Sequence, residues 1–272
     1  MENKKVECFV ETITPIIAAE MLKNRNPNNR KSNATNFGKY KRDMASNNWQ
    51  LNGETICVDW NGILMNGHHR LHSCVAANTP FQTVVVKNLD PKCVKTIDSG
   101  KKRSFADQLT MDGVKYASNI SAAIIFLDQL AHQSIKKSGL TNTEMYAIHN
   151  NHPKIADSIL RCKNAFSPAT SWLPAVHYIG CILGEEADAE AFVEVYAHGQ
   201  KTYENDAAHY AREWLLKDAS RKVGKSDIDF RKKLFIKSWN LFVTKKPLTR
   251  LRIEPNFELN GFTKEVLNGS YA

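Results

Sequence analysis

Between residues 53 and 86 the apolar residues change spacing twice, and few folds accommodate both changes. Within 53–67 two short β-rich runs flank Asn61-Gly62, the strongest short-range signal for a hairpin. After Gly67 the spacing becomes helical, with Leu71, Cys74 and Val75 at i, i+3 and i+4. Asn78-Thr79-Pro80 ends that helix, and Phe81-Gln82-Thr83-Val84-Val85-Val86 reads as a strand. Upstream, residues 6–13 read as a strand. Thr14 then offers an N-cap before Pro15 at the first helical position, and Ile16, Ile17, Met21 and Leu22 form the apolar stripe of the helix. A second helix over 34–47 places Phe37, Tyr40 and Met44 on one face and lysines with Arg42 on the other. Strand, helices, hairpin, helix and strand in this order make a small α/β module.

From Ser104 onward the strand signals stop. Helices are predicted over 120–132, 141–150 (with a Thr141 to Glu144 capping box), 152–166, 174–183, 187–198, 204–217 and 227–243. The last carries Phe230, Leu234, Ser238, Leu241 and Phe242 on one face, and the tail from Pro247 reads as loop. Trp172, Trp214 and Trp239 lie among apolar neighbours and are expected in the core. The fold class is therefore α+β, with a small α/β domain over 1–103 followed by an all-helical domain over 104–272.

Charge is distributed unevenly along the 272 residues, which carry 37 Lys and Arg against 28 Asp and Glu. Residues 1–103 hold a net +7, residues 104–216 a net −5, and residues 217–272 a net +7. Clustered charge of one sign is the footprint of a polyanion partner. On that ground Arg30, Lys31, Lys39, Lys41 and Arg42 are candidates for contact with a nucleic-acid backbone. Cys8, Cys57, Cys74, Cys93, Cys162 and Cys181 are spread singly, with no C-x-x-C pair. That spacing excludes a zinc ribbon and a disulfide framework and predicts free thiols. No apolar run approaches the ~20 residues of a bilayer span, and the N-terminus lacks the apolar region of a secretory signal. The expectation is a cytoplasmic protein without a membrane partner.

Asn66-Gly67-His68-His69-Arg70 sits where a hairpin strand turns into a helix. Glycine permits an unusual backbone angle and a close approach there. The first amides of a helix point outward, and its dipole favours an anion. With Arg70 and the imidazoles, this is a candidate phosphate site. Lys101, Lys102 and Arg103 are candidates to cover it. His68, His69, Glu54 and Asp59 are the nearest groups for acid–base work. A zinc site from His68, His72 and Cys74 lacks an evident fourth ligand. His149 and His152, ahead of Pro153, read as surface capping of a helix end.

The stretch from Asp59 to Ser73, with its Asn66-Gly67-His68-His69-Arg70 turn, resembles the signature of the ParB/sulfiredoxin superfamily over roughly residues 5–105. In that superfamily a hairpin leads into a Gly-x-x-Arg turn, a helix and an apolar strand. The resemblance implies binding of nucleotide phosphates or a nucleic-acid backbone by Gly67, His68, His69 and Arg70. It also implies a nucleoside triphosphate, ATP or CTP, as ligand, with Mg2+ as a candidate ion. The sequence has His68 where sulfiredoxin has its reactive cysteine, so thiol chemistry is not expected. It has Asn66 where the kinase-like members carry Asp. Ile97-Asp98-Ser99-Gly100-Lys101-Lys102-Arg103-Ser104 and Phe235-Ile236-Lys237-Ser238-Trp239-Asn240 resemble phage-encoded ParB-like proteins with a helical C-terminal half. The leading expectation is a nucleotide- or phosphate-binding protein acting on or with DNA. The alternatives are an ATP-dependent phosphotransferase on a small hydroxyl or modified base, a metal-dependent nuclease, and a non-enzymatic interaction factor of a phage.

Overall fold

A computed structural model of the chain describes residues 5–25, 34–97, 103–135, 139–165, 171–221, 227–250, 252–253 and 257–270. The chain divides into two compact units: Met1–Lys102 with Gly139–Thr143, and Arg103–Ser138 with Glu144–Ala272. It is a mixed α+β protein whose sheet lies in the first unit.

The first unit runs β1 (Glu7–Ile13), α1 (Pro15–Lys23), α2 (Ala34–Ala45), β2 (Thr55–Asp59), β3 (Leu64–Asn66), α3 (His68–Ala77) and β4 (Phe81–Leu89), then a 3-10 turn over Pro91–Lys95. The four strands form one sheet in the order β1-β4-β2-β3. β4 is antiparallel to β1 and parallel to β2, and β2 is antiparallel to β3. The parallel β2–β4 pair needs a crossover, and α3 supplies it. Thr14 caps α1 by accepting from Ile17 N at 3.2 Å, with Pro15 in the first turn. Ile13, Ala18, Met44, Ile56, Leu64, Leu71, Cys74, Phe81 and Val85 form the core. Trp49 closes it, edge-on to Phe81 at 5.1 Å and donating from Nε1 to Gln82 O at 2.9 Å.

Packing corrects two apolar stripes. On α1, Ile17, Met21 and Leu22 pack against the core as expected, but Ile16 is 82% exposed and Ala18 is fully buried. On α3 the outlier is Val75, which faces solvent, while Arg70 and Ser73 are buried beside Leu71 and Cys74. The hairpin also differs in detail. Its loop is the three residues Trp60, Asn61 and Gly62, closed by Asp59 N donating to Ile63 O at 3.0 Å. Gly62 takes the left-handed position at φ 81°, whereas Asn61 keeps a negative φ. This is a three-residue hairpin loop and not the two-residue Asn-Gly form.

The second unit contains no strand among its described residues. Its helices are α4 (Phe105–Met111), α5 (Ala117–Ala131), α6 (Asn142–Asn151), α7 (Ile155–Arg161), α8 (Leu173–Ile182), α9 (Glu186–His198), α10 (Ala207–Ser220), α11 (Ile228–Val243) and α12 (Lys264–Leu267). α4 and α12 lie outside the expected helices, α12 within the tail read as loop, although Ser104 and Asp107 form a full capping box at the start of α4. Phe192 is the aromatic centre, edge-on to Phe235, Trp239 and Phe242 at 5.7, 5.2 and 5.3 Å. Gly180 lets α8 approach this cluster, since a Cβ there would lie 2.8 Å from both Ala189 Cβ and the Trp239 ring. Trp172 and Trp239 are core residues as expected. Trp214 is only half-buried, against Phe230 at 5.2 Å.

Candidate functional site

The turn between β3 and α3 is shaped by Gly67 for two reasons. Its φ is 104°, in the left-handed region. A Cβ there would also stand 2.9 Å from Ile56 Cγ1, so the glycine lets the start of α3 lie against β2. Asn66 braces the turn, its Oδ1 accepting from Gly67 N at 2.7 Å. Gly67 supplies no side-chain cap, and the first turn of α3 contains no acidic residue. By contrast, α10 and α11 begin on Asp206 and Asp227, whose carboxylates accept from the first amides of each helix.

Arg25 and the imidazoles of His68, His69 and His72 gather at this end of α3. His68 is half-buried, and burial together with the nearby charges of His72, His69 and Arg25 pushes its imidazole down to about 4. His72 is also held below the ordinary imidazole value, by burial first and then by Arg25. Arg25 reaches the site because Asn24 O accepts from Leu64 N at 2.9 Å and Arg25 forms a parallel bridge with Leu64. Sequence reading did not assign Arg25 to the site. It lies 43 positions from His68, beyond the reach of any local pattern, and only the pairing with β3 brings it there.

The structure divides the rest of the expected constellation. Arg70 is 4% exposed, and its Nη1 and Nη2 donate to Glu54 O and Thr55 O at 2.8 and 2.7 Å. It has no carboxylate partner among the described residues. The expectation that Arg70 neutralises a bound phosphate therefore gives way to another role: it clamps α3 to the start of β2. Thr83 reinforces the clamp, donating from Oγ1 to Glu54 O at 3.2 Å. Glu54 itself is exposed, and its carbonyl is what the clamp uses. Asp59, expected as an acid–base group, is buried and holds the hairpin loop. Its Oδ1 accepts from Asn61 N at 2.9 Å and Ile63 N at 2.8 Å.

Lys41 and Arg42 are exposed on α2, Lys39 is half-buried there, and Arg42 donates to Gly139 O. Arg103 is exposed and belongs to the second unit. Arg30, Lys31, Lys101 and Lys102 lie outside the described residues. Cys74 is buried, with Sγ bonded to Ile13 O at 3.6 Å and Thr79 O at 3.2 Å, and burial pushes its thiol up to about 11. A thiol held this way is no zinc ligand, which must be a thiolate. Among the described residues no group of three His, Cys, Asp or Glu side chains is placed to hold a metal ion.

The second unit holds polar networks that the sequence did not reveal. His177 bonds through Nδ1 to Ser158 Oγ at 2.9 Å and through Nε2 to Glu190 Oε1 at 3.1 Å. Arg161 reaches the other oxygen of Glu190 from Nε at 2.6 Å. His152 corrects an expectation in part: its backbone N–H donates to Ile148 O at 3.0 Å at the end of α6, but its side chain is fully buried. Its Nδ1 meets Tyr178 Oη at 2.9 Å, and its Nε2 meets Leu267 O at 2.8 Å, tying α12 to α8. Neither a family model, nor a curated protein, nor a solved structure matches this chain.

Proposed function

We propose that the first unit binds the phosphates of a nucleoside triphosphate at the amino end of α3, and that the protein acts on or with DNA. The observation that carries this reading is the gathering of His68, His69, His72 and Arg25 at a helix start without a capping carboxylate. With protonation of His68 and His72 disfavoured, Arg25 is left as the standing charge beside first-turn amides that meet no carboxylate. An anion there accepts from the first-turn amides, complements the dipole, pairs with Arg25 and favours protonation of the imidazoles. Gly67 and Arg70 act through the backbone, one admitting the close turn and the other fixing it. The resemblance of this turn to the ParB/sulfiredoxin signature supports the same ligand class. The exposed Lys41 and Arg42 on α2 support a nucleic-acid backbone as the larger partner, held without base readout and hence with affinity that falls steeply with salt.

Calorimetric titration with ATP, CTP and inorganic phosphate tests the site. Arg25→Ala and His68→Gln should each weaken triphosphate binding about tenfold, the scale of one charge-assisted contact. A triphosphate that binds both variants as tightly as the native chain would overturn the reading. Binding should also strengthen as pH falls from 7.5 to 5.5, because a bound anion favours imidazolium. A second reading, phosphoryl transfer to a small hydroxyl, rests on His68 being neutral at neutral pH and so able to accept a proton. Incubation with γ-labelled ATP and hydroxyl acceptors tests it, and label that stays on ATP would dismiss it.

A further inference from the structure

We propose that β1 pairs antiparallel with β1 of a second copy of this chain, about a two-fold axis at Cys8. β1 stands at one end of the sheet, and among the described residues it pairs only with β4. A free strand edge is a template for pairing with another chain unless charge, proline or a bulge blunts it. β1 has no proline, and its register with β4 is unbroken over all seven residues. Its exposed residues mix charge with apolar surface: Glu7 beside Phe9 at 37% and Val10 at 56%, with Val6 at 53% just before the strand.

The sequence of the strand selects the partner and the register. A symmetric antiparallel pair centred on Cys8 sets Cys8 opposite Cys8, Val6 opposite Val10, Glu7 opposite Phe9, and Lys5 opposite Glu11 of the other copy. One face then carries valines and Cys8 from both copies. The other carries two oppositely charged pairs at its ends. Neither Lys5 nor Glu11 has an ion-pair partner among the described residues of its own chain. Glu7 stands opposite Lys87 on β4, and the Lys87 ammonium lies 5.0 Å above the Phe9 ring, so Glu7 meets Phe9 of the other copy beside a cation. Neighbouring registers are worse. Centring on Phe9 sets Glu7 against Glu11, and centring on Glu7 sets two Glu7 carboxylates together, both destabilising like-charge pairs. Charge complementarity therefore favours a second copy of this strand over an unrelated extended peptide.

Cys8 makes the arrangement testable, because it is the one exposed cysteine of the six. Residues directly opposite in an antiparallel pair have Cα atoms about 4.5–5.5 Å apart, within the range that a disulfide spans. Mild oxidation with diamide, followed by peptide mapping, should give a Cys8–Cys8 linked dimer. It should form faster in native protein than in chain unfolded by urea. Glu11→Lys should slow this linkage about tenfold, since two favourable pairs become two repulsive ones, and Lys5→Glu combined with Glu11→Lys should restore it. Linkage through another cysteine, equal rates in native and unfolded chain, or failure of the charge exchange to rescue would each overturn the proposal. So would a monomer at all concentrations in sedimentation equilibrium, which would leave the edge to a different chain.

Discussion

In the helical unit several arginines and a histidine lie against carboxylates, whereas the buried arginine of the sheet unit lies against backbone carbonyls. In the former, Arg161 lies against Glu190 and Glu194, Arg231 donates to Asp218 at 2.7 Å, and His177 rests on Glu190. In the latter, Arg70 is held by two backbone carbonyls, and Arg25 shares the end of α3 with three imidazoles. The difference separates two uses of charge. Paired cations within a packed unit fix helix against helix and have little left to offer a ligand. A helix start left electropositive is less favourable for folding but attractive to an anion.

Removing a carboxylate from the helical unit should have the largest effect. Asp218 is 1% exposed and receives Arg231 Nε at 2.7 Å. Asp218→Ala leaves that guanidinium uncompensated and should lower the unfolding free energy by about 3 kcal/mol or more in urea titration. Gly67→Ala should come next, at about 2–3 kcal/mol. It combines a left-handed φ of 104° with a Cβ placed 2.9 Å from Ile56. Its triphosphate affinity should fall as well, because the amino end of α3 must shift.

Arg70→Met sharpens the comparison, because Arg70 has no carboxylate to strand. Two charge-assisted hydrogen bonds disappear, but so does a buried unpaired charge, and the net loss should be about 2 kcal/mol, below that of Asp218→Ala. A larger loss than Asp218→Ala would break the contrast between the units. Triphosphate affinity of the folded variant should change less than for Arg25→Ala, which separates the clamp from the ligand site.

The smallest effect should be a dependence on pH. His68 has its imidazole pushed down from 6.5 to about 4 in the folded protein. Above 6.5 neither folded nor unfolded chain is protonated at this residue. Between 6.5 and about 4 only the unfolded chain takes up the proton, so stability is lost as pH falls through that window. Urea midpoints at pH 7.5 and 5 should differ less in His68→Gln than in the native chain. Saturating triphosphate should also reduce the difference, since the bound anion lets the folded state accept the proton. A slope unchanged by both would show that His68 does not sense the site.

Much of the first unit was legible because its signals are local. The Thr14-Pro15 start, the turn around Asn61-Gly62 and the change of period after Gly67 each depend on a few neighbouring residues. Ser104 and Asp107 carried an equally local signal for α4, and sequence reading passed over it. The errors fall where an outcome depends on distant partners. Ile16 and Val75 have the right spacing for a core but face solvent, while Ile17, Met21 and Leu22 of the same α1 stripe pack against the core. Arg70 and His152 have polar identities that predict exposure. Both are buried, because carbonyls from residues 15 or more positions away receive them.

By itself the sequence determined the order of elements, the strand-to-helix turn at Gly67 and the concentration of positive charge in the first 103 residues. Periodicity, glycine and charge act over short range or over bulk composition, so they can be read without coordinates. Tertiary structure decided which charges are spent and which are available. It enclosed Arg70 and Asp59 in backbone hydrogen bonds, brought Arg25 beside His68, and left β1 at the edge of the sheet. Hydrogen-bond partners and exposure are set by chain segments far apart in sequence, and only the folded packing brings them together.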